Sequence, residues 1–253
     1  MHSFTEQFAD FCEKNLDLKT TDYYNYESLS ACILDCVYSL RAPYFATTVP
    51  VVERYAKAYM NDNRQAPGDT ISMLIGNIEK IGGPAAFADK ILKNHQKIGG
   101  KGAVPKGEVC YQLARYLKYL HIETIKDFQN FECQELLEIV IRSVKGMGDA
   151  GTNYLFMLAG DPDRCKPDVH IHHCVRDACG RDVTNEECQE LFTDAVSMLK
   201  SRHPGLTVRG LDSIIWDKYS QKMSEFKSVL STDRPHEIIL HETIDECEDN
   251  NDT

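Results

Sequence analysis

Apolar residues recur along most of the chain at the spacing of an α-helix. Between positions 27 and 40 they fall at 29, 32, 33, 36, 37 and 40, which form one stripe along a helix. The segment Arg41-Ala42-Pro43 then ends that helix, because the residue before a proline avoids the helical conformation. The same spacing predicts helices from Pro50 onward, near 70–81, 84–97, 107–120 and 133–144, from about Asp149, and over 169–177, 184–201 and 211–223. No segment alternates with a period of two for long enough to predict a sheet, so the pattern predicts an all-α fold.

The length and composition are those of a folded protein with a substantial core. The chain has 253 residues, of which 42% are hydrophobic, enough to build one large domain or two smaller ones. No run approaches the roughly 18 consecutive apolar residues of a transmembrane helix. The first residues also lack the basic and apolar regions of a signal peptide. We therefore expect a cytoplasmic protein, monomeric and without a membrane partner.

The net charge of −11 argues at first against a nucleic-acid partner, because phosphate binding requires local positive charge. The charge is unevenly distributed, however. Residues 230–253 contain eight acidic residues and one Arg, so they contribute −7 and the rest of the chain only −4. We expect this segment to be a flexible acidic tail. Residues 90–106, in contrast, are rich in lysine and contain no acidic residue, which is typical of a linker or of a loop that faces phosphates.

The ten cysteines are more typical of reduced, buried thiols in a cytosolic core than of a disulfide framework. A metal site built from Cys165, Cys174, Cys179 and Cys188 with the neighbouring histidines is the alternative. Their spacing fits no Cys-x-x-Cys zinc pattern. We therefore predict no metal site.

A glycine hairpin follows the predicted helix 133–144, with the sequence Lys145-Gly146-Met147-Gly148. Two glycines separated by one apolar residue allow the backbone to reverse through positive φ angles, and Met147 can anchor the turn in the core. The helix that starts near Asp149 would then present free N–H groups, which bind anions such as DNA phosphate. Many helical proteins turn at Gly-x-Gly, so the hairpin alone also fits a turn without a ligand.

The hairpin and the residues after it resemble the helix-hairpin-helix DNA glycosylase superfamily, which includes endonuclease III. In that family an apolar helix leads to a Leu-Pro-Gly-x-Gly hairpin, a second helix, a loop and a closing Val-Asp-Thr-His. Residues 144–148 correspond to the hairpin, 161–162 lie in the loop, and 167–170 correspond to the closing motif. Asp168 follows Gly146 by 22 residues, in agreement with the family's spacing.

The resemblance is specific over 136–173 and weak over the rest of 27–220, as in a divergent member. It implies a two-lobed, all-α fold. One lobe is a helical bundle over about 27–162, the other combines 1–26 with 163–229, and the acidic tail follows. No iron–sulfur cluster is expected, because the family's four closely spaced cysteines would lie well after Asp168, and Cys247 is the only cysteine after Cys188.

The resemblance also implies a catalytic role for Asp168. A carboxylate beside the sugar stabilises the positive charge that develops when an N-glycosidic bond breaks, and it can orient or deprotonate the attacking water. Capping of the helix from Val169 is compatible with that role. Bifunctional members carry a Schiff-base lysine where this chain has Ala150. A monofunctional, hydrolytic DNA glycosylase without lyase activity is therefore implied, although Lys145 or Lys166 could lie close enough to the sugar to alter this.

Double-stranded DNA is the implied partner. The backbone would be held by the hairpin, with a monovalent cation bound by hairpin carbonyls and with no other cofactor expected. The residues predicted for this contact are Lys145, Gly146, Met147, Gly148 and Ala150, with Lys101 and Lys106 as a second contact. Arg41, with Tyr44, is the candidate to fill the gap that a flipped base leaves in the duplex. The alternative for Arg41 is a surface arginine at a helix end.

The extruded base must enter a pocket between the lobes beside Asp168. Candidate pocket residues are Tyr24, Tyr44, Asn153 and His170, with Tyr23 and Tyr26 as further stacking candidates. For the tyrosines the alternative is a place in the core, and Trp216 is predicted to lie in the core.

Nothing local identifies the base that is removed. A damaged or alkylated base is the default, and a bulky phage base such as glucosylated hydroxymethylcytosine, with a role in phage defence, is a further hypothesis. The rival class is a non-catalytic helix-hairpin-helix DNA-binding module in which Asp168 only caps a helix. A helical protein-interaction scaffold is a third interpretation.

Overall fold

The computed structural model describes residues 3–19, 25–66 and 68–232, with side chains described as far as Gln221. Within these residues the fold is all-α, as predicted, apart from one short β-hairpin. The helices are α1 (Phe4–Asn15), α2 (Leu29–Ser39), α3 (Val49–Tyr59), α4 (Ile71–Lys80), α5 (Pro84–Phe87), α6 (Lys106–Tyr119), α7 (Ile125–Gln129), α8 (Gln134–Arg142), α9 (Gly148–Leu158), α10 (Val169–Cys179), α11 (Asn185–Leu199) and α12 (Val208–Thr232). Two π-helical turns, Tyr44–Thr48 and Ala88–Leu92, precede α3 and follow α5.

Local capping signals set several helix starts. Thr184 begins α11 with the predicted capping box, in which its hydroxyl accepts from the N–H of Glu187 while the Glu187 carboxylate accepts from the N–H of Thr184. The sequence pattern did not predict α1 and α7. Both begin with a capping box of the same kind, at Ser3 and Thr124.

The predicted helix over 84–97 is wrong in its second half. Lys93 has a left-handed backbone, with φ of 50°, and ends the helical segment after the π-helical turn. The chain then forms strand β1 (Lys97–Ile98), which pairs antiparallel with β2 (Val104–Pro105). A glycine-rich turn joins the two strands, so turn chemistry overrides the helical spacing here.

Buried apolar side chains form two clusters. The large cluster contains residues from Tyr26 to Ala159, and the small cluster combines residues 8–18 with 165–219. At the centre of the large cluster lies α2, whose eleven residues are all buried and which packs against α3, α6 and α9. In the small cluster, α1 packs on α10 and α11, and α10 packs on α12. Because α2 is buried on every side, the polar side chains it carries must find partners inside the protein.

Three predicted features lie outside the described residues: Tyr23, Tyr24 and residues 233–253 of the acidic tail. No helix within the described part of the chain is long and apolar enough to cross a lipid bilayer.

Candidate functional site

A cleft of about 990 Å³ has walls from elements of both clusters. Its lining includes Arg41, Tyr44, Gly146, Lys166, Asp168 and Asp212. Ligand clefts commonly measure about 300–1,000 Å³, so this one is at the upper end of that range. The glycine hairpin and the predicted catalytic aspartate, Asp168, therefore line the same cavity.

The glycine hairpin reverses the chain between α8 and α9. Both glycines have positive φ, +102° at Gly146 and +53° at Gly148, as the sequence predicts. A Cβ at Gly146 would lie 2.6 Å from Cγ2 of Ile98, so glycine is required there for space as well as for conformation. No side chain caps the start of α9, whose first residues line the cleft. The first turn of α9 therefore has N–H groups without a side-chain cap at the cavity wall, which is the kind of helix start that can bind an anion.

Met147 is 3% exposed and anchors the hairpin in the large cluster, as predicted. Its predicted DNA contact is through the backbone of the hairpin and stays a prediction. The side chain is buried, and only its backbone can approach a phosphate. Ala150 is half-buried and lines the cleft.

The short β-hairpin lies against the glycine hairpin. Besides the contact of Ile98 with Gly146, a Cβ at Gly102 would be 3.0 Å from Nζ of Lys145, so the two turns are adjacent. Lys97, Lys101 and Lys145 are exposed; we call these three residues the basic strip. At the start of α9, Asp149 forms an exposed ion pair with Arg142 (3.0 Å).

Lys106 does not belong to the basic strip, and its predicted contact with DNA is wrong. It is 1% exposed, and its Nζ donates to the carbonyl oxygens of Tyr38 (3.1 Å) and Leu40 (2.8 Å) and to Gln96 Oε1 (3.1 Å). These bonds satisfy carbonyls at the carboxyl end of α2. Burial lowers the pKa of Lys106 to about 8. The side chain thus holds the helix end that precedes Arg41.

Asp168 is the N-cap of α10 and lines the cleft. Its Oδ1 accepts from the N–H groups of His170 (2.9 Å) and Ile171 (3.2 Å). The side chain is half-buried at the cavity wall. The cap fixes one carboxylate oxygen, and Oδ2 is the oxygen that remains for a molecule in the cleft.

A second carboxyl group, that of Asp212, was missed by the sequence reasoning. It is 5% exposed, lines the cleft from the first turns of α12, and its Oδ1 accepts from the backbone N–H of Lys166 (2.8 Å). Burial, together with the Asp168 carboxylate, raises the pKa of Asp212 from its usual 3.8 to about 8. In the sequence, the signal that could have identified Asp212 is its position next to the apolar residues 211 and 215 of a predicted helix.

Asp35 is a third buried carboxyl group and lies in the middle of α2. It accepts hydrogen bonds from the hydroxyls of Tyr26 (2.7 Å), Tyr44 (2.8 Å) and Tyr154 (2.9 Å). Burial raises its pKa, and these hydroxyls act in the opposite direction. Tyr26, Tyr44 and Tyr154 all line the cleft. The predicted pocket residue Tyr44 is therefore held in the cavity wall by a hydrogen bond to Asp35.

Lys166 is the lysine that the structure brings into the cleft, whereas Lys145 is exposed and absent from the lining. The Lys166 side chain is 9% exposed. Its Nζ donates to Ser39 Oγ (3.1 Å) and lies 3.8 Å from the centroid of the Tyr154 ring. These contacts connect the loop before Asp168 to the end of α2.

Aromatic rings surround the mouth of the cleft. The Trp216 ring is 5.7 Å from Tyr44, 5.9 Å from Phe45 and 5.9 Å from His170, measured between centroids. Phe45 is 71% exposed. Trp216 is half-buried in the cleft wall, so its predicted place in the core is wrong. The predicted pocket residue His170 does line the cavity.

Arg41 is exposed at the same mouth, directly after α2. Its φ of +52° is unfavourable for a residue with a side chain, by roughly 1–2 kcal/mol. Strained backbone of this kind is more frequent at functional sites than elsewhere.

Asn153, in contrast, is absent from the cleft lining, and its predicted role in a base pocket is wrong. It is 6% exposed; its amide donates to Gln189 Oε1 (3.4 Å) and its carbonyl oxygen accepts from Arg164 Nη1 (3.3 Å). Asn153 on α9 therefore connects the bundle to α11. Its position one turn into α9 turns it away from the cavity.

The nine cysteines within the described residues are free thiols, and seven of them are buried. The described part of the chain has no group of three or more His, Cys, Asp or Glu side chains that could hold a metal ion. The predicted monovalent cation would be held by backbone carbonyls, so it stays a prediction.

These residues define an all-α protein whose cleft combines a glycine hairpin with two buried or half-buried carboxyl groups, those of Asp168 and Asp212. The chain belongs to a family described as a domain of unknown function (DUF8548), whose family model matches residues 6–220. That range includes both hydrophobic clusters and every cleft residue named above. Neither a curated protein nor a solved structure matches the chain.

Proposed function

We propose that the protein is a monofunctional DNA glycosylase with a two-lobed helix-hairpin-helix fold. It extrudes one base of a duplex into the cleft and hydrolyses its N-glycosidic bond, which leaves an abasic site. The observation that carries the proposal is the shared cleft: the start of α9, after the glycine hairpin, and Asp168 line the same cavity. A phosphate held by the hairpin would bring its neighbouring sugar to the carboxylate.

The distribution of charge supports binding to DNA in spite of the acidic composition. The basic strip is carried by two turns that adjoin each other, and Gly146 and Gly148 of the glycine hairpin line the cleft together with the first residues of α9. Phosphate binding depends on such local positive potential rather than on net charge. Arg41 in the cleft lining, and the exposed Phe45 beside Trp216, are suited to occupy the space that an extruded base vacates.

The chemistry follows from the position of Asp168. Its Oδ1 is held by two N–H groups of α10, so the carboxylate is fixed in orientation. A fixed negative charge beside the sugar stabilises an oxocarbenium-like transition state without a cost of reorganisation. The same carboxylate can accept the proton of the attacking water.

Abasic-site formation tests the proposal. Duplexes that carry uracil, hypoxanthine, 8-oxoguanine, alkylated purines or glucosylated hydroxymethylcytosine are incubated with the protein, and abasic sites are detected by cleavage in hot alkali. Cleavage of at least one duplex is expected. The cleft volume of about 990 Å³ is large enough to favour the bulky members of the panel. Retention of every base would contradict the proposal.

Borohydride trapping on abasic DNA tests for lyase activity. We expect no covalent complex, because the Nζ of Lys166 is held against Ser39 and the Tyr154 ring, and the Schiff-base position of the family is Ala150. A complex formed by the wild type and lost in Lys166→Ala, but kept in Lys145→Ala, would overturn the monofunctional assignment.

The salt dependence of DNA binding tests the basic strip. Replacing Lys97, Lys101 and Lys145 by alanine is expected to reduce the slope of log K against log salt by about 0.9 for each phosphate that the strip neutralises. Lys14→Ala, an exposed lysine on α1, is the matched control and should keep the wild-type slope. A triple variant with an unchanged slope would show that the strip does not bind DNA.

A non-catalytic DNA-binding module is the second candidate. It is favoured by one observation, that capping of α10 accounts for Asp168 without any chemistry. Both candidates predict salt-sensitive binding to DNA, so binding does not distinguish them. Only the glycosylase is expected to release a base.

A further inference from the structure

The wall of the cleft contains a carboxyl group beside Asp168 that has no role in the hydrolysis proposed so far, that of Asp212. We infer that Asp212 is the general acid of the reaction and donates a proton to the departing base. The inference rests on the proposed glycosylase activity. It adds a catalytic group and a substrate class, namely neutral bases, which leave slowly unless they are protonated.

The geometry links the two carboxyl groups through one residue. Asp212 Oδ1 accepts from the N–H of Lys166 (2.8 Å), and the carbonyl oxygen of Lys166 accepts from the N–H of Asp168 (2.7 Å). Asp212 comes from α12 and Asp168 from the start of α10, so the two side chains enter the cavity from different elements. With Oδ1 occupied by a backbone donor, Oδ2 of Asp212 is the atom that can carry the transferable proton.

The surroundings of Asp212 favour the protonated form at neutral pH. Burial and the Asp168 carboxylate act in this direction, while the Lys166 N–H bond and the positive charges of Lys166 and Arg209 act against it. The Cys165 thiol is a further titratable neighbour; its pKa is raised by a hydrogen bond with Cys188 and by burial, and to a smaller extent by the Asp212 charge. The net result is a carboxyl group with a pKa of about 8. Two carboxyl groups in different environments are the usual arrangement for an acid and a charge-stabilising partner.

In the proposed reaction, each proton and electron pair has a defined donor and acceptor. The bond between C1′ and the base nitrogen breaks with both electrons on the base, and Asp212 transfers its proton to that base. Water adds to C1′, and the proton it loses passes to the Asp168 carboxylate. Exchange with solvent returns a proton to Asp212 and removes one from Asp168, so the net reaction is hydrolysis.

The test compares leaving groups. Wild type, Asp212→Asn and the exposed control Asp194→Asn are assayed on duplexes with neutral bases, uracil and 1,N6-ethenoadenine, and on methylated DNA that carries cationic 7-methylguanine and 3-methyladenine. Asparagine keeps an oxygen that can accept from Lys166 N–H, and circular dichroism checks the fold. We expect Asp212→Asn to slow release of neutral bases about 100-fold or more, the range of a general acid. Cationic bases, which need no proton, should be released within about threefold of the wild-type rate.

The pH profile of the wild type gives a second readout that does not depend on a variant. Release of a neutral base should fall as pH rises through about 8, because the acid form of Asp212 is lost, and Asp212→Asn should lack this descending limb. Equal losses for both classes of base, no loss for neutral bases, or release of cationic bases alone by the wild type would each overturn the inference. A wild type that releases no base at all would instead overturn the proposed function, and the inference with it.

Discussion

Replacing Asp168 by asparagine is expected to slow base release by roughly three orders of magnitude. The estimate combines lost stabilisation of the charged sugar with lost assistance to the attacking water, each of which contributes on the order of 100-fold or more. The fold should be kept, because asparagine is as good an N-cap as aspartate and can still accept from the N–H groups of His170 and Ile171. The measurement is the single-turnover rate of release, with DNA affinity determined in parallel by fluorescence anisotropy.

Two controls separate catalysis from capping. Asp168→Ala removes both functions, so it should show the same fall in rate and also a fall of about 1 kcal/mol in stability. Thr184→Ala removes the corresponding cap of α11 and should reduce stability alone. If Asp168→Asn releases base at the wild-type rate, Asp168 is only a cap, and the non-catalytic module is the better description.

Gly146→Ala is expected to have the largest effect on DNA binding. Alanine at φ +102° is strained, and its Cβ would lie 2.6 Å from Cγ2 of Ile98, so the hairpin must shift. Strain of this kind costs roughly 1–3 kcal/mol, and each 1.4 kcal/mol that appears in binding weakens affinity about tenfold. We therefore expect affinity to fall about tenfold or more, measured by anisotropy below the melting temperature of the variant.

Gly148→Ala is the matched control for the same hairpin. Its φ of +53° lies in the left-handed region, and a Cβ there would have no neighbour within 4 Å, so only the backbone cost of about 1–2 kcal/mol applies. Adding Ile98→Ala to Gly146→Ala should recover part of the affinity, because it removes the steric overlap but not the strain. Wild-type affinity in Gly146→Ala would mean that the hairpin is not the DNA clamp.

Features that depend on neighbouring residues could be predicted from the sequence. The stripe of apolar residues predicted a helix over 27–40, and α2 spans Leu29–Ser39. The positive φ angles of Gly146 and Gly148 follow from the Gly-x-Gly pattern. Asp168 precedes a helical stretch and does cap it. Each of these depends on interactions within a few positions along the chain.

Features that depend on long-range packing could not be predicted. Local composition assigned Lys106 to a phosphate-facing loop, but the fold buries it against the carboxyl end of α2, far away in sequence. Asp35 and Asp212 lie beside apolar positions of helices, and only the assembled cleft gives them partners. From the sequence, Asn153 could face either the cavity or the small cluster. Its hydrogen bond with Gln189 orients the side chain away from the cavity. The hairpin and Asp168 were thus predictable, whereas most of the cleft wall was not.

The most direct test of the glycosylase proposal is mass spectrometry of the free bases released from DNA. Genomic DNA of several origins, including phage DNA with modified cytosines, is incubated with the wild type and with Asp168→Asn, and the filtrate is compared with a mock reaction. We predict at least one base that is released by the wild type and is reduced to background by the variant, while both proteins bind DNA equally. Release of the same bases by both proteins, or of none by the wild type, would contradict the proposed function.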